Sequence, residues 1–388
     1  VFDDAAQDKT FYQILMSSQS QFITEKHLYY SWIDKTFYRT FRSACRMTQE
    51  KKITINDVAL EAGVSVSTVS LVLSGKGRIS AATGQRVSEA VEKLGFVRNR
   101  QASALRGGQS GVIGLIARDV CHPFYAQLIA GLTVALERQG RMLLLSQSGR
   151  DGQQMLHCFE TLLNQGVDGV IIAGAAGMGA ELREKAQQKG VPLVFASRAS
   201  YLDEADTLRP DNLQAAQMLT EHLIKQGHQR IAWLGGNSGS LTRAERLGGY
   251  CATLLQYGLP FHSEWVVECE NSQKQAAESI TALLRHNPTI SAVICHNSTI
   301  ALGAWFGLMR AGLQSGESGM ESYFDRSVAL GAFTELSEDK LEDIPVTWMT
   351  LPAQEMGHEV AERMAHRIEH SDEVHRHYVL AGRLIKRK

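Results

Sequence analysis

Ser65, Ser67, Thr68 and Ser70 crowd short hydroxyl side chains into one stretch of the chain, with Thr54 a little upstream. Such hydroxyls hold phosphate oxygens through single hydrogen bonds. Catalytic constellations are absent from the sequence. No GxGxxG follows the first strand, there is no P-loop or GxSxG, and the 13 histidines are dispersed with no nucleophile beside a base. The glycine-rich run 235–239 follows a strand, but no Lys-Ser/Thr pair comes after it, so a phosphate cradle there is not expected. We expect no catalytic residues, no metal site and no cofactor.

The hydroxyls sit on a short helical pattern. In 51–75, Ile55, Val58, Ala59 and Ala62 recur at helical spacing and Gly63 breaks it. Ser65 is a good N-cap for a second helix whose apolar face is Val69, Val72 and Leu73. Ala59, Gly63 and Val69 supply the small residue, turn glycine and core residue of a helix-turn-helix, which sets its second helix in the DNA major groove. An ordinary helical hairpin without a DNA role has the same spacing. In the first case Val66, Ser67 and Leu71 reach base edges while Ser65, Thr68 and Ser70 hold phosphates; in the second Leu71 is a core residue. A third helix follows, capped by Ser80, striped by Val87, Val91 and Leu94, and ended by Gly95.

A chain of 388 residues suggests two or three domains. Apolar residues make up 44%, and no run of 18 apolar residues exists, so we expect a soluble protein that does not enter a membrane. Net charge is −1, but residues 47–110 carry nine Lys or Arg against five Asp or Glu, which suits a phosphate-facing module. The six scattered cysteines show no metal-ligand spacing and read as reduced thiols of a cytoplasmic protein. Residues 1–46 are aromatic-rich without periodicity and lack a signal-peptide pattern. They are expected to be an extension upstream of a natural start at Met47, the rival reading being a partner-binding arm.

From Gly111 the pattern changes. Strands at 112–116, 141–145, 169–173, 193–196, 230–234, 265–268 and 292–295 alternate with helices at 124–139, 153–165, 180–189, 212–226, 243–257 and 272–285. Repeated βα units imply parallel sheets with helices on both faces. So many strands predict two lobes, with a ligand between them at the carboxyl ends of the strands.

The wording DVALEAGVSVSTVSLVLSG resembles the opening of the LacI/GalR family of bacterial transcription regulators, and the resemblance runs from about Lys51 to the end of the chain. It implies an all-α helix-turn-helix domain at 47–98, a hinge helix and linker at 99–110, and a two-lobed, periplasmic-binding-protein-like α/β domain at 111–388. By the same resemblance Asn99, Ala102 and Leu105 belong to the hinge helix, with Leu105 wedged into the minor groove. Many relatives carry a large polar residue at Ser67, Arg at Leu71 and Pro at Arg98, so fewer base hydrogen bonds and more reliance on DNA shape are implied. The partners implied are double-stranded operator DNA read as a pseudo-palindrome, a second copy of the chain, and a small-molecule effector.

The effector residues follow by resemblance. Segment 119–125 is similar to the family's ligand-facing loop, which points to His122, Phe124 and Tyr125. Arg246 matches the ligand-binding arginine, and Asn297 an effector-contacting asparagine. Ser197, beside Arg198, stands where many relatives have Asp, and Ser298 where an Asp usually follows. Segment 331–334, with Phe333, lacks its usual Asp. These losses leave Arg198, Arg209 and Arg246 without acidic competitors. They open the effector class to a sugar, a sugar phosphate or another anionic metabolite; loss of effector binding is the alternative, and for Arg246 a surface ion pair with Glu245. Runs such as FASRASYLD, GHQRIAWLGG and SQKQAAESITALLRHNPTISAV look, within that family, like regulators of maltose-linked genes and of their own promoter.

Three functional classes are therefore in view. A ligand-responsive DNA-binding repressor is expected. A sugar-binding module whose helical head binds protein would lack steep salt-dependent DNA affinity, and a βα enzyme would show activity in a screen.

Overall fold

The computed structural model describes residues 53–74, 79–96, 109–149, 151–174, 178–196, 205–313, 327–335 and 343–385. The N-terminal segment 1–46, the hinge residues Asn99, Ala102 and Leu105, and the cleft residues Ser197 and Arg198 lie outside the described residues. The chain divides into two compact units, Val1–Arg98 and Asn99–Lys388.

The first unit contains α1 (Ile55–Ala62), α2 (Val66–Ser74) and α3 (Ala81–Leu94). Each helix starts on a short polar side chain. At Thr54 the N–H and the hydroxyl both donate to the Asp57 carboxylate, at 2.8 and 2.7 Å. Ser65 Oγ accepts the Thr68 N–H at 3.2 Å, and Ser80 Oγ the Thr83 N–H at 3.2 Å. These bonds satisfy donors that a helix start leaves open. Gly63 ends α1 with φ 62°, a left-handed conformation that glycine adopts without strain. The chain then turns through 103° into α2. Val58, Ala59, Ala62, Val69, Val87 and Ala90 form the small core.

The second unit holds two six-stranded sheets. The first is built from β1 (Val112–Ala117), β2 (Met142–Gln147), β3 (Gly169–Ala173), β4 (Leu193–Ala196), β5 (Asp206–Pro210) and β11 (His377–Leu380), in the order β11-β5-β4-β3-β1-β2. All its pairings are parallel. Helices α4 (Pro123–Arg138) and α11 (Ala353–Glu369) cover one face, and α5 (Gly152–Asn164) and α6 (Gly179–Lys189) the other. The second sheet is built from β6 (Ile231–Leu234), β7 (Val266–Val267), β8 (Ala292–Cys295), β9 (Ala329–Thr334), β10 (Thr347–Thr350) and β12 (Arg383–Ile385), in the order β12-β10-β9-β8-β6-β7. It is parallel except for β12. Helices α7 (Asn212–Lys225) and α8 (Leu241–Gln256) lie on one side, α9 (Gln273–His286) and α10 (Ser298–Arg310) on the other. Strands such as GVIIA at β3 are buried along their whole length, as a sheet covered on both faces requires.

Close helix contact needs glycine at two facing positions. A Cβ on Gly131 of α4 would stand 2.0 Å from the Gln354 carbonyl oxygen, and one on Gly357 of α11 would stand 2.4 Å from the Leu128 carbonyl oxygen. The backbones of α4 and α11 therefore meet without side chains between them.

The chain passes between lobes after β5, after β10 and after β11. The last two strands, β11 and β12, thus lie on different sheets and are parted by only Ala381 and Gly382. The strand expected at 265–268 shrinks to β7, because Ser263–Trp265 form a 3-10 turn. Strand β5 has no apolar run to announce it. Its first residue, Asp206, is fully buried and receives hydrogen bonds from Arg363 Nε at 2.7 Å, Arg367 Nε at 2.6 Å and the Arg376 N–H at 3.0 Å. Among the described residues no single helix is long and apolar enough to cross a membrane.

Candidate nucleic-acid face and ligand cleft

In the first unit, α2 buries Val69 and turns Ser67, Ser70 and Leu71 outward, Leu71 being 43% exposed. These three lie at helical neighbours i, i+3 and i+4, so they form one strip. Leu71 is therefore a surface residue and not part of the core. Val66, expected at base edges, is half-buried and packs partly against the core. At the start of α2, Ser65 Oγ lies 2.8 Å from both Ser67 Oγ and Thr68 Oγ1. This hydroxyl cluster sits at the positive end of a helix dipole, an arrangement that accepts phosphate. The Thr54 hydroxyl is already engaged with Asp57.

In the second unit a cleft of about 180 Å3 opens at the carboxyl ends of the strands. The loop after β1 contributes Asp119, Cys121, His122 and Pro123 from the first lobe. Asn271, Asn297, Ser298, Thr299 and Glu335, which follow β7, β8 and β9, contribute from the second. Nδ1 of His122 accepts the Phe124 N–H at 3.1 Å and caps α4, which leaves Nε2 as the protonated nitrogen of the neutral ring. Asn297 caps α10 through Oδ1, which accepts the Ile300 N–H at 3.0 Å, and its Nδ2 donates to Asn271 Oδ1 at 2.9 Å. Glu335 is 6% exposed, and its Oε2 has no hydrogen-bond partner among the described residues. A buried carboxylate oxygen in that state gains from a donor brought by a ligand.

The other expected effector residues are in the lobe interiors. Phe124 and Phe333 are fully buried and Tyr125 is 1% exposed, with Phe124 and Tyr125 packed edge to face. Arg246 is fully buried beneath the cleft. Its Nε donates to Asn212 Oδ1 at 3.1 Å, its NH1 donates to the His296 carbonyl at 2.6 Å, and its guanidinium lies 4.4 Å from the Phe333 ring centre. A surface ion pair is thereby excluded for Arg246. Glu245 instead receives Arg209 NH1 and Asn212 Nδ2, each at 2.8 Å. The expectation that Arg209 lacks an acidic partner is corrected by that pair.

Asp119 and Cys121 lie on the segment expected to face the ligand, and Ser298 follows Asn297 as expected, whereas sequence reasoning passed over Asn271, Thr299 and Glu335 as lining residues. Glu335 had a signal: it stands one residue past β9, where strands of this fold deliver side chains to the cleft. A carboxylate absent from 331–334 is thus present on the lining at the next position, Glu335.

Residues 54–99 match the family model for bacterial regulatory proteins of the lacI family, and residues 110–388 that for periplasmic binding proteins and the sugar binding domain of the LacI family. The chain belongs to the LacI family. Among LacI-family relatives, it is 68% identical over 342 residues to the maltose regulon regulatory protein MalI of Escherichia coli (strain K12), covering 88% of this chain and all of the relative. The transcriptional regulator CelR in its cellobiose complex is 26% identical, covers 86% of this chain and 99% of its own, and superposes with a TM-score of 0.61. The lac repressor dimer bound to operator and the anti-inducer ONPF, 24% identical over 87% of this chain and 99% of its own, shares the fold with a TM-score of 0.73. As a LacI-family DNA-binding repressor, the chain pairs a helical DNA-binding unit with a two-sheet core.

Proposed function

We propose that this chain is the repressor of a maltose-linked gene set and of its own promoter. It acts as a homodimer in the bacterial cytoplasm, associated with the nucleoid, on a pseudo-palindromic operator. The observation that carries this reading is the 68% identity to a maltose regulon regulatory protein over that relative's whole length. Val66, Ser67 and Leu71 read base edges, Val66 and Leu71 by apolar contact with thymine methyls, and Ser70 beside them holds a phosphate. Ser65 and Thr68 hold a phosphate, and Thr54 supports the start of α1. Asn99, Ala102 and Leu105 form the hinge. The domain limits are 47–98, 99–110 and 111–388.

The effector is a small molecule in the cleft, held by His122, Asn297, Asp119 and Glu335. Arg246, Phe124, Tyr125 and Phe333 support the wall from beneath, and the family resemblance adds Ser197 and Arg198 as effector residues. Two carboxylates on the lining favour a sugar, which donates hydroxyl hydrogens, over a sugar phosphate or other anion. A ligand that binds one lobe arrangement better than another shifts operator affinity.

Selection of duplexes from a randomised DNA pool tests the proposal. An enriched palindrome with a flexible central step is expected. Weak binding that vanishes in salt, with no enriched sequence, overturns it in favour of a ligand-binding module with a different partner.

A further inference from the structure

The end of α11 carries two imidazoles and a carboxylate that neither the cleft nor the first unit uses. His366 and His370 are one helical turn apart, so they share a face. Their rings stack, with centroids 4.5 Å apart and planes 29° apart. Glu373 follows in the turn after the helix, with Oε1 3.7 Å from His366 Nε2. One ligand atom from each of the three residues lies within 4.8 Å of the other two. His370 Nδ1 is 3.2 Å from the His366 carbonyl oxygen. That contact makes Nδ1 the donor and leaves the lone pair on Nε2, the outer bond that orients a metal-ligating imidazole. Glu373 Oε2 is shielded from solvent and has no hydrogen-bond partner among the described residues.

We propose that His366, His370 and Glu373 form a site for one divalent transition ion of the zinc class. Two imidazoles and one carboxylate are a donor set that Zn2+ accepts, with water as the fourth ligand. Mg2+ and Ca2+ prefer oxygen alone. Tetrahedral bonds of about 2.1 Å put donors roughly 3.4 Å apart, so the side chains close in by roughly 1 Å. His370 is exposed and Glu373 lies in a turn, so both rotate without disturbing the core. The carbonyl end of α11 also favours positive charge.

Two arginines set the limit on affinity. Arg363 NH1 and Arg376 NH2 each lie 3.9 Å from Glu373 Oε2. Arg363 shares the Asp206 carboxylate with Arg367, and Arg376 is exposed, with room to turn outward when an ion binds. Arg363 NH1 is also 3.3 Å from His366 Nδ1. Coordination through His366 Nε2 moves the imidazole proton to Nδ1 and breaks that contact. Micromolar binding is therefore expected, weaker than a closed structural zinc site.

The test uses the full chain, free of any histidine tag and stripped with a chelator, titrated with Zn2+ against a colorimetric competitor. One Zn2+ per chain is expected. His370→Ala and Glu373→Gln are each expected to weaken binding about tenfold or more, since each removes a donor and even the loss of an outer-shell partner costs about that much, with the circular dichroism spectrum unchanged. Absence of Zn2+ binding overturns the proposal. So does binding that is unaltered in both variants, which would place the ion elsewhere, for example at Cys121 and His122.

Discussion

Arg209 of β5 and Glu245 of α8 meet at 2.8 Å, and the pair joins the two lobes. Glu245 also accepts Asn212 Nδ2, Asn212 Oδ1 accepts Arg246 Nε, and Arg246 reaches the carbonyl of His296 beside Asn297. A continuous polar path thus runs from the first lobe to the wall of the cleft. Glu245→Ala takes the carboxylate from a mostly buried guanidinium and is expected to cost about 2–3 kcal/mol of stability, measured by thermal or denaturant unfolding. Effector affinity should fall as well. Unchanged affinity in a folded variant would show that the path supports the fold alone.

On α2, Leu71→Ala removes an exposed side chain from the face proposed to meet DNA. We expect stability to change by less than about 1 kcal/mol and affinity for the selected operator to fall about tenfold. Fluorescence anisotropy and a thermal melt separate the two. Ser65→Ala behaves differently: it removes an N-cap, costs about 1 kcal/mol of stability, and weakens operator binding as well. If Leu71→Ala bound the operator like the parent chain, the assigned reading face would be wrong.

The thiols report on the cleft. Cys121 is exposed on its lining, whereas Cys295 is fully buried and burial pushes its thiol well up from the usual range. Burial also raises Cys251 and Cys269. In the native protein a thiol reagent is expected to reach Cys121 far faster than Cys295, which reacts after unfolding. A bound effector should slow the labelling of Cys121. Labelling of Cys121 that ignores a saturating effector would move the effector out of this cleft.

Asp206 carries the acid dependence of the core. Burial pushes its carboxyl up, but hydrogen bonds from Arg363, the Arg376 N–H and Arg367 outweigh it and hold the group below the usual carboxylate range. Because the folded value lies below the unfolded one, the cluster stabilises the protein above about pH 4, and that share is lost as pH falls through the folded value. Asp206→Asn leaves two buried guanidinium groups with less countercharge and is expected to cost about 3 kcal/mol at neutral pH. Its stability should also vary less with pH below about 4 than that of the parent chain. Urea unfolding across a pH series measures both.

The close packing of α4 on α11 is sensitive as well. Gly357→Ala forces a methyl against the Leu128 carbonyl and is expected to destabilise the core by about 1–3 kcal/mol. A thermal melt with an unshifted midpoint would show that the two helices separate at little cost.

What the sequence determined by itself was local or periodic. Ser65 and Ser80 cap helices because the open N–H three residues on needs an acceptor and each hydroxyl oxygen supplies it, and Gly63 ends α1 because the turn needs a left-handed residue. The buried apolar runs of β1, β3 and β8 announced parallel strands, and the wording of the first helices announced the family. The tertiary structure alone decided the rest. Asp206 can head the buried strand β5 where Arg363 and Arg367, over 150 positions away, bond its carboxylate. The cleft joins Asp119 and Cys121 of one lobe to Asn271 and Glu335 of the other. Arg246 is a buried strut and Leu71 a surface residue, although both belong to helices whose local pattern fits either placement. A hydrogen bond three residues long is written in adjacent letters. Burial and countercharge depend on which distant segments the folded chain brings together, and single positions do not encode that.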